Sequence, residues 1–274
     1  MATRAFAAAD RPATPTIGLL PAAGVSLSAF LLFALQLAGW GHGLLALSLL
    51  GAWLVSRELA KDLSLIGIGV AIVSSTSVKA DVGWGRFLTI GTVLLLAVTV
   101  PLLLDRLVYR RRAIRFPLLT GRRWTRLEKG YIVIVPVLGW LILPFYFLTS
   151  GVYRNWPQLL DAGELGRFFV GVNFVGTWDE LFFICTCFAL LRRHVSVAWA
   201  NALQAVIFVS FLWELGYQAW GPLLTAPFAL LQGWLFTRTG SLLYVLVVHL
   251  LFDVVVFLAI VHARNPGTLP IFLV

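Results

Sequence analysis

Residues 167–191 read RFFVGVNFVGTWDELFFICTCFALL, an apolar run with two adjacent carboxylates, Asp179 and Glu180, near its centre. A membrane-spanning helix needs about 20 mostly apolar residues, and this run is long enough to be one. Ionised side chains inside a bilayer are costly, so they usually face the interior of a helix bundle and mark a function. We therefore interpret this run as a membrane helix that carries part of a functional site.

The remainder of the chain has the same membrane character. The chain as a whole is 60% hydrophobic and 12% charged, whereas soluble domains carry about 25% charged residues. Further apolar segments lie at 23–40, 43–56, 63–78, 88–105, 130–150, 197–217, 222–237 and 241–262. This pattern predicts an all-α, polytopic transmembrane helix bundle with about eight or nine membrane segments, of which the second and third are short for a full span.

Two further carboxylates, Glu214 and Asp253, and one histidine, His249, lie inside apolar segments of the C-terminal half. His249 and Asp253 are four residues apart and so share one helix face, the spacing that lets two groups act on one water or substrate. Asp179 and Glu180 are about 100° apart around a helix, so we expect one to face the site and the other to meet a neighbouring helix. Glu214 lies near the outer end of its segment, where snorkelling to the interface explains it as well as function does.

The basic residues predict the orientation of the chain. Nine of the 21 Lys and Arg residues fall between Arg106 and Lys129, and the positive-inside rule places this basic loop, 106–129, in the cytoplasm. The other clusters of basic residues fall on the same side of the membrane as this loop. We therefore expect the N-terminal tail, residues 1–22, in the cytoplasm and the C-terminus outside. Residues 57–62, RELAKD, are expected to form an interfacial turn with local ion pairs. The chain is therefore expected to be a multi-pass protein of the cell membrane.

The basic loop divides the chain into two parts. Residues 23–105 contain no segment with a clear charge in mid-membrane and are interpreted as a scaffold, whereas residues 130–274 contain all four intramembrane carboxylates. The net charge of +9 is explained by the topology and by attraction of the basic loop to anionic lipids. No combined aromatic and basic pattern accompanies it, so we expect no nucleic-acid partner.

Two stretches resemble motifs of one protein family. Residues 179–185, DELFFIC, resemble the first motif of the CPBP family, EExxxR. This family contains the CAAX protease and bacteriocin-processing (Abi) intramembrane proteins. Residues 238–253, RTGSLLYVLVVHLLFD, are similar to its last motif, HxxxN or HxxxD, with the usual RTGS lead-in. Phe208 stands where the middle motif, FxxxH, begins, and the resemblance covers about residues 165–262.

The chain departs from the family pattern at three positions. Asp179 replaces the first glutamate, which keeps the chemistry with one methylene fewer. Ile184 replaces the arginine and so removes the cation expected to fix the acidic pair. Leu212 replaces the middle histidine and removes a catalytic or metal-coordinating imidazole.

The resemblance implies an intramembrane endopeptidase that hydrolyses a membrane-associated peptide or protein with water activated by a carboxylate and a histidine. Carried over to this chain, Asp179 or Glu180 is the base, His249 is its partner, and Asp253 orients His249 or coordinates. These four residues are the candidate catalytic residues, and no cofactor-binding residue is identified.

Three alternative interpretations stay open. The chain can be a catalytically silent relative that serves as a membrane scaffold or chaperone, because two of the family motifs are altered. It can be a transporter that uses the intramembrane carboxylates as proton relays. The polar groups can also serve only to hydrogen-bond one helix to another.

The cofactor is not identified by the sequence, but the altered middle motif bears on zinc. A catalytic zinc site ordinarily has three protein ligands, mostly histidines, and His249 is the one imidazole left at the predicted site. We therefore predict that the protein binds no zinc tightly. Metal analysis of the purified protein tests this, and stoichiometric zinc that is lost in His249→Ala would contradict it.

Overall fold

The computed structural model describes residues 16–159, 161–265 and 269–274, so the first fifteen residues of the expected N-terminal tail lie outside the described residues. Within these ranges the chain is helical and has no strand. Its longer helices are α1 (Leu19–Ala34), α2 (Ala38–Val55), α3 (Arg57–Val73), α4 (Trp84–Val108), α5 (Arg126–Ser150), α6 (Ala162–Leu191), α7 (Val197–Leu215), α8 (Pro222–Thr239) and α9 (Leu242–Arg264). Short 3-10 turns lie at Thr16–Gly18 and Val152–Asn155.

Each apolar segment of the sequence corresponds to one of these helices, which confirms the all-α membrane bundle. The helices long and apolar enough to cross a membrane are six in the described chain, namely α2, α4, α5, α6, α7 and α9. The larger number of eight or nine membrane segments is thus not confirmed. Helix α2 is longer than its apolar segment predicted, whereas α3 is kept from qualifying by its length and by its charged first turn.

Local sequence signals set the helix ends. Thr125 and Glu128 form a capping box at the start of α5, in which the Glu128 amide donates to Thr125 Oγ1 at 3.2 Å and the Thr125 amide donates to Glu128 Oε2 at 2.8 Å. Asp161 caps α6 by accepting from the Glu164 amide at 2.8 Å. Such caps satisfy amides that have no partner inside the helix. Gly240 ends α8 with φ +63°, a left-handed conformation that favours glycine.

The connections gather at two ends of the bundle. At one end the Val78 amide donates to Glu214 at 3.2 Å, and Arg167 Nε donates to the Val82 carbonyl at 2.8 Å. Arg264 Nε reaches the Trp156 carbonyl at 2.8 Å at this same end. At the opposite end the basic loop meets the start of α9, where the Leu242 amide donates to the Pro117 carbonyl at 2.8 Å. We call these the outer end and the basic end.

Residues 57–62 form the local ion pair that was expected, with Lys61 Nζ 2.7 Å from Glu58 Oε1, but the expectation of an interfacial turn was wrong. They are the first turns of α3, and the Asp62 side chain is fully buried. Asp62 is bound by the Arg111 guanidinium and by His194 Nε2 at 2.7 Å. A buried carboxylate needs such partners, because taking its charge out of water is costly. Sequence spacing alone does not show these partners, since they come from distant connections.

Arg111 also binds the second buried carboxylate of this cluster, with Nε 2.9 Å from Asp105 Oδ1. The other oxygen of Asp105 accepts from the amides of Ala113 at 2.7 Å and Ile114 at 3.1 Å. Burial by itself lowers the pKa of Arg111, but the carboxylates of Asp62 and Asp105 outweigh it and raise that pKa. The guanidinium therefore stays charged and ties the basic loop to α3 and α4.

Removing this guanidinium should destabilise the fold. We expect Arg111→Ala to lower the free energy of unfolding by about 3 kcal/mol, because the buried Asp105 loses its cation and the buried Asp62 keeps only the more distant guanidinium of Arg193 at 3.3 Å. Arg112→Ala is the matched control, since Arg112 is exposed on the same loop and should have little effect. Thermal unfolding in detergent micelles measures both, and equal melting temperatures for the two variants would contradict the role of the cluster.

Candidate functional site

Two packed helices bring the predicted site residues together. Asp179 and Glu180 come from α6, His249 and Asp253 come from α9, and all four side chains are buried. His249 Nδ1 lies 2.7 Å from Glu180 Oε1, a hydrogen bond. His249 Nε2 lies 3.7 Å from Asp179 Oδ2 and 3.8 Å from Asp253 Oδ1. The imidazole therefore stands at the centre of three carboxylates.

The two adjacent carboxylates divide as expected, because Asp179 borders the cavity described below while Glu180 meets the neighbouring helices α8 and α9. Glu180 meets Nδ1 and Asp179 lies nearer Nε2, which are different edges of the ring. Two neighbouring side chains can therefore flank one ring without pointing at one atom. Glu180 also begins a π-helical segment, Glu180–Phe188. This wider winding is frequent at functional sites.

Gln232 from α8 is a site residue that the sequence did not reveal. Its Nε2 donates to Glu180 Oε1 at 2.7 Å and to the Val245 carbonyl at 3.1 Å. A carbonyl can only accept, so the Val245 contact fixes which end of the amide is the nitrogen. Glu180 Oε1 is then an acceptor for Gln232, and we assign His249 Nδ1 as a second donor to it. The only available signal was a lone amide side chain in an apolar segment.

Gly176 allows the two helices to approach closely at the site. A Cβ atom at this position would lie 1.8 Å from Asp253 Oδ2 and 3.3 Å from His249 Cδ2. A larger residue would fit only if the Asp253 carboxylate moved, so the observed packing of the site depends on glycine at this position. Gly176 stands three residues before Asp179, on the same side of α6.

A cavity of about 410 Å³ borders the site. Asp179, His249 and Asp253 line it among mostly apolar side chains, whereas Glu180 lies behind His249 and does not. Asp179 Oδ1 and Asp253 Oδ2 are buried and have no protein hydrogen-bond partner. Buried polar atoms are rarely left in this way unless another molecule meets them. The cavity therefore presents two acceptors and one face of an imidazole to a ligand.

The altered family positions differ in their relation to this cavity. Leu212 lines it, and so does Phe208, whose ring centre is 6.4 Å from that of His249. An imidazole at position 212 would thus lie in the cavity that His249 borders. Ile184 is buried in the apolar core of the bundle and does not line the cavity.

Glu214 is separate from this site. Its carboxylate accepts from the Val78 amide at the outer end, and the side chain is buried. It therefore does not snorkel, and it does not line the cavity. Among the described residues, no group of three or more His, Cys, Asp and Glu side chains is arranged to hold a metal ion. The absence of tightly bound zinc stays a prediction.

Residues 161–255 match the family model of the type II CAAX prenyl endopeptidase Rce1-like proteins. The resemblance to the CPBP family is confirmed. The match covers about a third of the chain, from the cap of α6 to the middle of α9, and contains all four candidate catalytic residues. No curated protein and no solved structure matches the chain.

The close approach at Gly176 leads to a test with an internal control. Gly176→Ala should push α6 and α9 apart at Asp253 and lower the free energy of unfolding by roughly 1–3 kcal/mol, the usual effect of overpacking. Gly166→Ala lies on the same helix, and its added methyl group meets nothing within 4 Å. That variant should be neutral or more stable by about 0.5 kcal/mol, because alanine favours a helix over glycine. Thermal unfolding compares them, and an undisturbed Gly176→Ala protein would contradict the geometry.

Proposed function

We propose that this protein is an intramembrane endopeptidase, which hydrolyses a peptide bond in a membrane-associated polypeptide. The observation that carries the proposal is the buried group of Asp179, His249 and Asp253 at the inner end of an apolar cavity. The match to an endopeptidase family over these residues supports it.

Glu180 acts as the positioning residue in this proposal. Its Oε1 accepts from His249 Nδ1 and from Gln232, and it does not border the cavity. A carboxylate in this role fixes the ring orientation and the proton on Nδ1, so that Nε2 faces the reaction. The base is therefore assigned to Asp179. The family resemblance alone had left either Asp179 or Glu180 as the base.

The proposed reaction takes place between Asp179 and His249 Nε2. A water lying between them loses its proton to Asp179 while its oxygen attacks the scissile carbonyl carbon. The same proton then passes to the leaving amide nitrogen as the carbon–nitrogen bond breaks, which yields a carboxylic acid and an amine. General acid–base catalysis of this kind contributes about 10²–10⁴-fold to a rate. Asp253 orients the water from the other side of Nε2.

We also propose the membrane arrangement around this site. All nine helices lie in the bilayer of the cell membrane, with α1 and α3 as the two shortest crossings and the basic loop in the cytoplasm. Exposed arginines of that loop, among them Arg110, Arg112 and Arg123, contact anionic lipid head groups. Residues 23–105 support the catalytic bundle formed by residues 130–274.

A catalytically silent scaffold is the second candidate. Leu212 favours it, because an apolar side chain stands in the cavity where the family pattern has a histidine. A carrier is less well supported, since the described cavity ends at Asp179 and His249 and does not continue to the basic end.

Hydrolysis of a quenched-fluorescent library of single-span peptides, reconstituted with the purified protein in liposomes, tests the proposal. Asp179→Asn, Glu180→Gln and His249→Ala should each lower the rate by about 100-fold or more, because they remove the base, the carboxylate that positions the imidazole, and the imidazole beside the water, respectively. Asp253→Asn should be milder, since asparagine keeps the hydrogen-bonding shape and occurs in the family motif.

Two further variants make this test decisive. Glu214→Gln is the matched control, because it changes a buried carboxylate outside the cavity and should keep the wild-type rate. Leu212→His should raise or create hydrolysis if the backbone keeps the family geometry. A folded but inactive Leu212→His protein would favour the scaffold, and wild-type activity in both Asp179→Asn and Glu180→Gln would contradict the hydrolytic site.

A further inference from the structure

The cavity beside the site extends along the bundle axis, to one side of the site only. In every helix that contributes to it, the lining residues lie in the part toward the outer end or at the depth of the site. They fall within residues 87–95 of α4, residues 167–179 of α6, residues 208–215 of α7, residues 224–228 of α8 and residues 249–256 of α9, with Leu143 of α5, members of the loop 78–82, Trp156 and Tyr217. The cavity thus extends from Asp179 and His249 to the outer end.

The side of the site toward the basic end is closed by packed side chains. Glu180 and Gln232 lie directly behind His249, and Phe188, Phe236 and Val245 follow, all of them buried. None of these residues lines the cavity. At 1.5 Å per residue, His249 lies ~10 Å from the first residue of α9, so a substrate from the basic end would have to cross ~10 Å of packed interior.

The two ends of the bundle differ strongly in charge. Nine basic residues lie between Arg106 and Lys129 alone, and Arg57, Lys61 and Arg238 lie at the same end. The outer end carries the basic residues Lys79, Arg86, Arg154, Arg167 and Arg264 and the acidic residues Asp81, Asp161 and Glu164. The positive-inside rule assigns the basic end to the cytoplasm. The cavity then extends from the site toward the other face of the membrane.

We propose that the site is reached from the non-cytoplasmic face, and that its substrate is the outward-facing part of a membrane-anchored polypeptide. Apolar side chains of that segment fill the cavity, and its scissile bond reaches Asp179 and His249 from the outer end. Arg167 and Asp81 border the mouth, where Arg167 is held by the Val82 carbonyl and stacks on Trp84 at 4.8 Å. The substrate class rests on the proposed endopeptidase function, whereas the direction of access does not.

Sided cysteine labelling tests the direction without any activity. The reporter is Thr225→Cys, a nearly isosteric change in the cavity wall. Ala162→Cys at the outer end and Thr120→Cys in the basic loop are exposed reference positions. A charged, membrane-impermeant methanethiosulfonate reagent is added to right-side-out vesicles and to inverted vesicles. The wild-type protein gives the background, because Cys185 and Cys187 are both buried.

We expect Thr225→Cys to be modified in right-side-out vesicles, on the same face as Ala162→Cys, and Thr120→Cys to be modified in inverted vesicles. Modification of Thr225→Cys only on the face that labels Thr120→Cys would overturn the proposal. So would modification by a membrane-permeant reagent alone, or no modification while both reference positions react. Labelling of Ala162→Cys in inverted vesicles would overturn the assignment of the outer end.

A reconstituted substrate pair then tests the substrate class. Two single-span peptides from the cleaved library carry the same scissile segment, one on the face that labels Ala162→Cys and one on the opposite face. Only the first should be cleaved, and cleavage of the second alone would overturn the substrate class. If the labelling holds but neither peptide nor any library member is cleaved, the endopeptidase function fails while the direction of access stands.

Discussion

The hydrogen bond between Glu180 and His249 constrains the whole C-terminal bundle. It joins two charged or polar groups in a part of the protein that is shielded from water, where an unpaired carboxylate is costly. Helices α6 and α9 must therefore keep a fixed register, and Gly176 makes their close approach possible. Gln232 adds α8 to the same contact. One buried acceptor thus positions three helices and, through the imidazole, the inner end of the cavity.

The molecule satisfies its buried charges in two different ways. At the basic end, Arg111 binds both Asp62 and Asp105, His194 also contacts Asp62, and that cluster anchors the basic loop. At the site, the described part of the chain places no Lys or Arg side chain among the ion-pair partners of Asp179, Glu180 and Asp253. Instead a single imidazole is shared by three carboxylates, and one oxygen of each is buried without a hydrogen-bond partner among the described residues, namely Asp179 Oδ1, Glu180 Oε2 and Asp253 Oδ2. A structural cluster saturates its groups, whereas a site that must receive a ligand leaves some of them open.

The sequence predicted the parts of this structure that depend on local patterns. Apolar segments located the helices, and the intramembrane polar residues together with the family motifs located Asp179, Glu180, His249 and Asp253. It did not predict contacts that depend on how distant segments meet. Asp62 lies in α3 and not in the predicted interfacial turn, and its partners Arg111 and His194 come from distant parts of the chain. The glycine requirement at position 176 likewise exists only once α9 is placed against α6.

The most direct test of this account is the protonation of His249 in the membrane-embedded protein. Isotope-labelled histidine gives separate nitrogen resonances in solid-state NMR, and the chain has only four histidines, so comparison with His249→Gln assigns the signal. We expect His249 Nδ1 to be protonated and hydrogen-bonded, with a resonance that shifts in Glu180→Gln. An Nδ1 without a proton, or one that does not respond to Glu180→Gln, would contradict the contact on which the site is built.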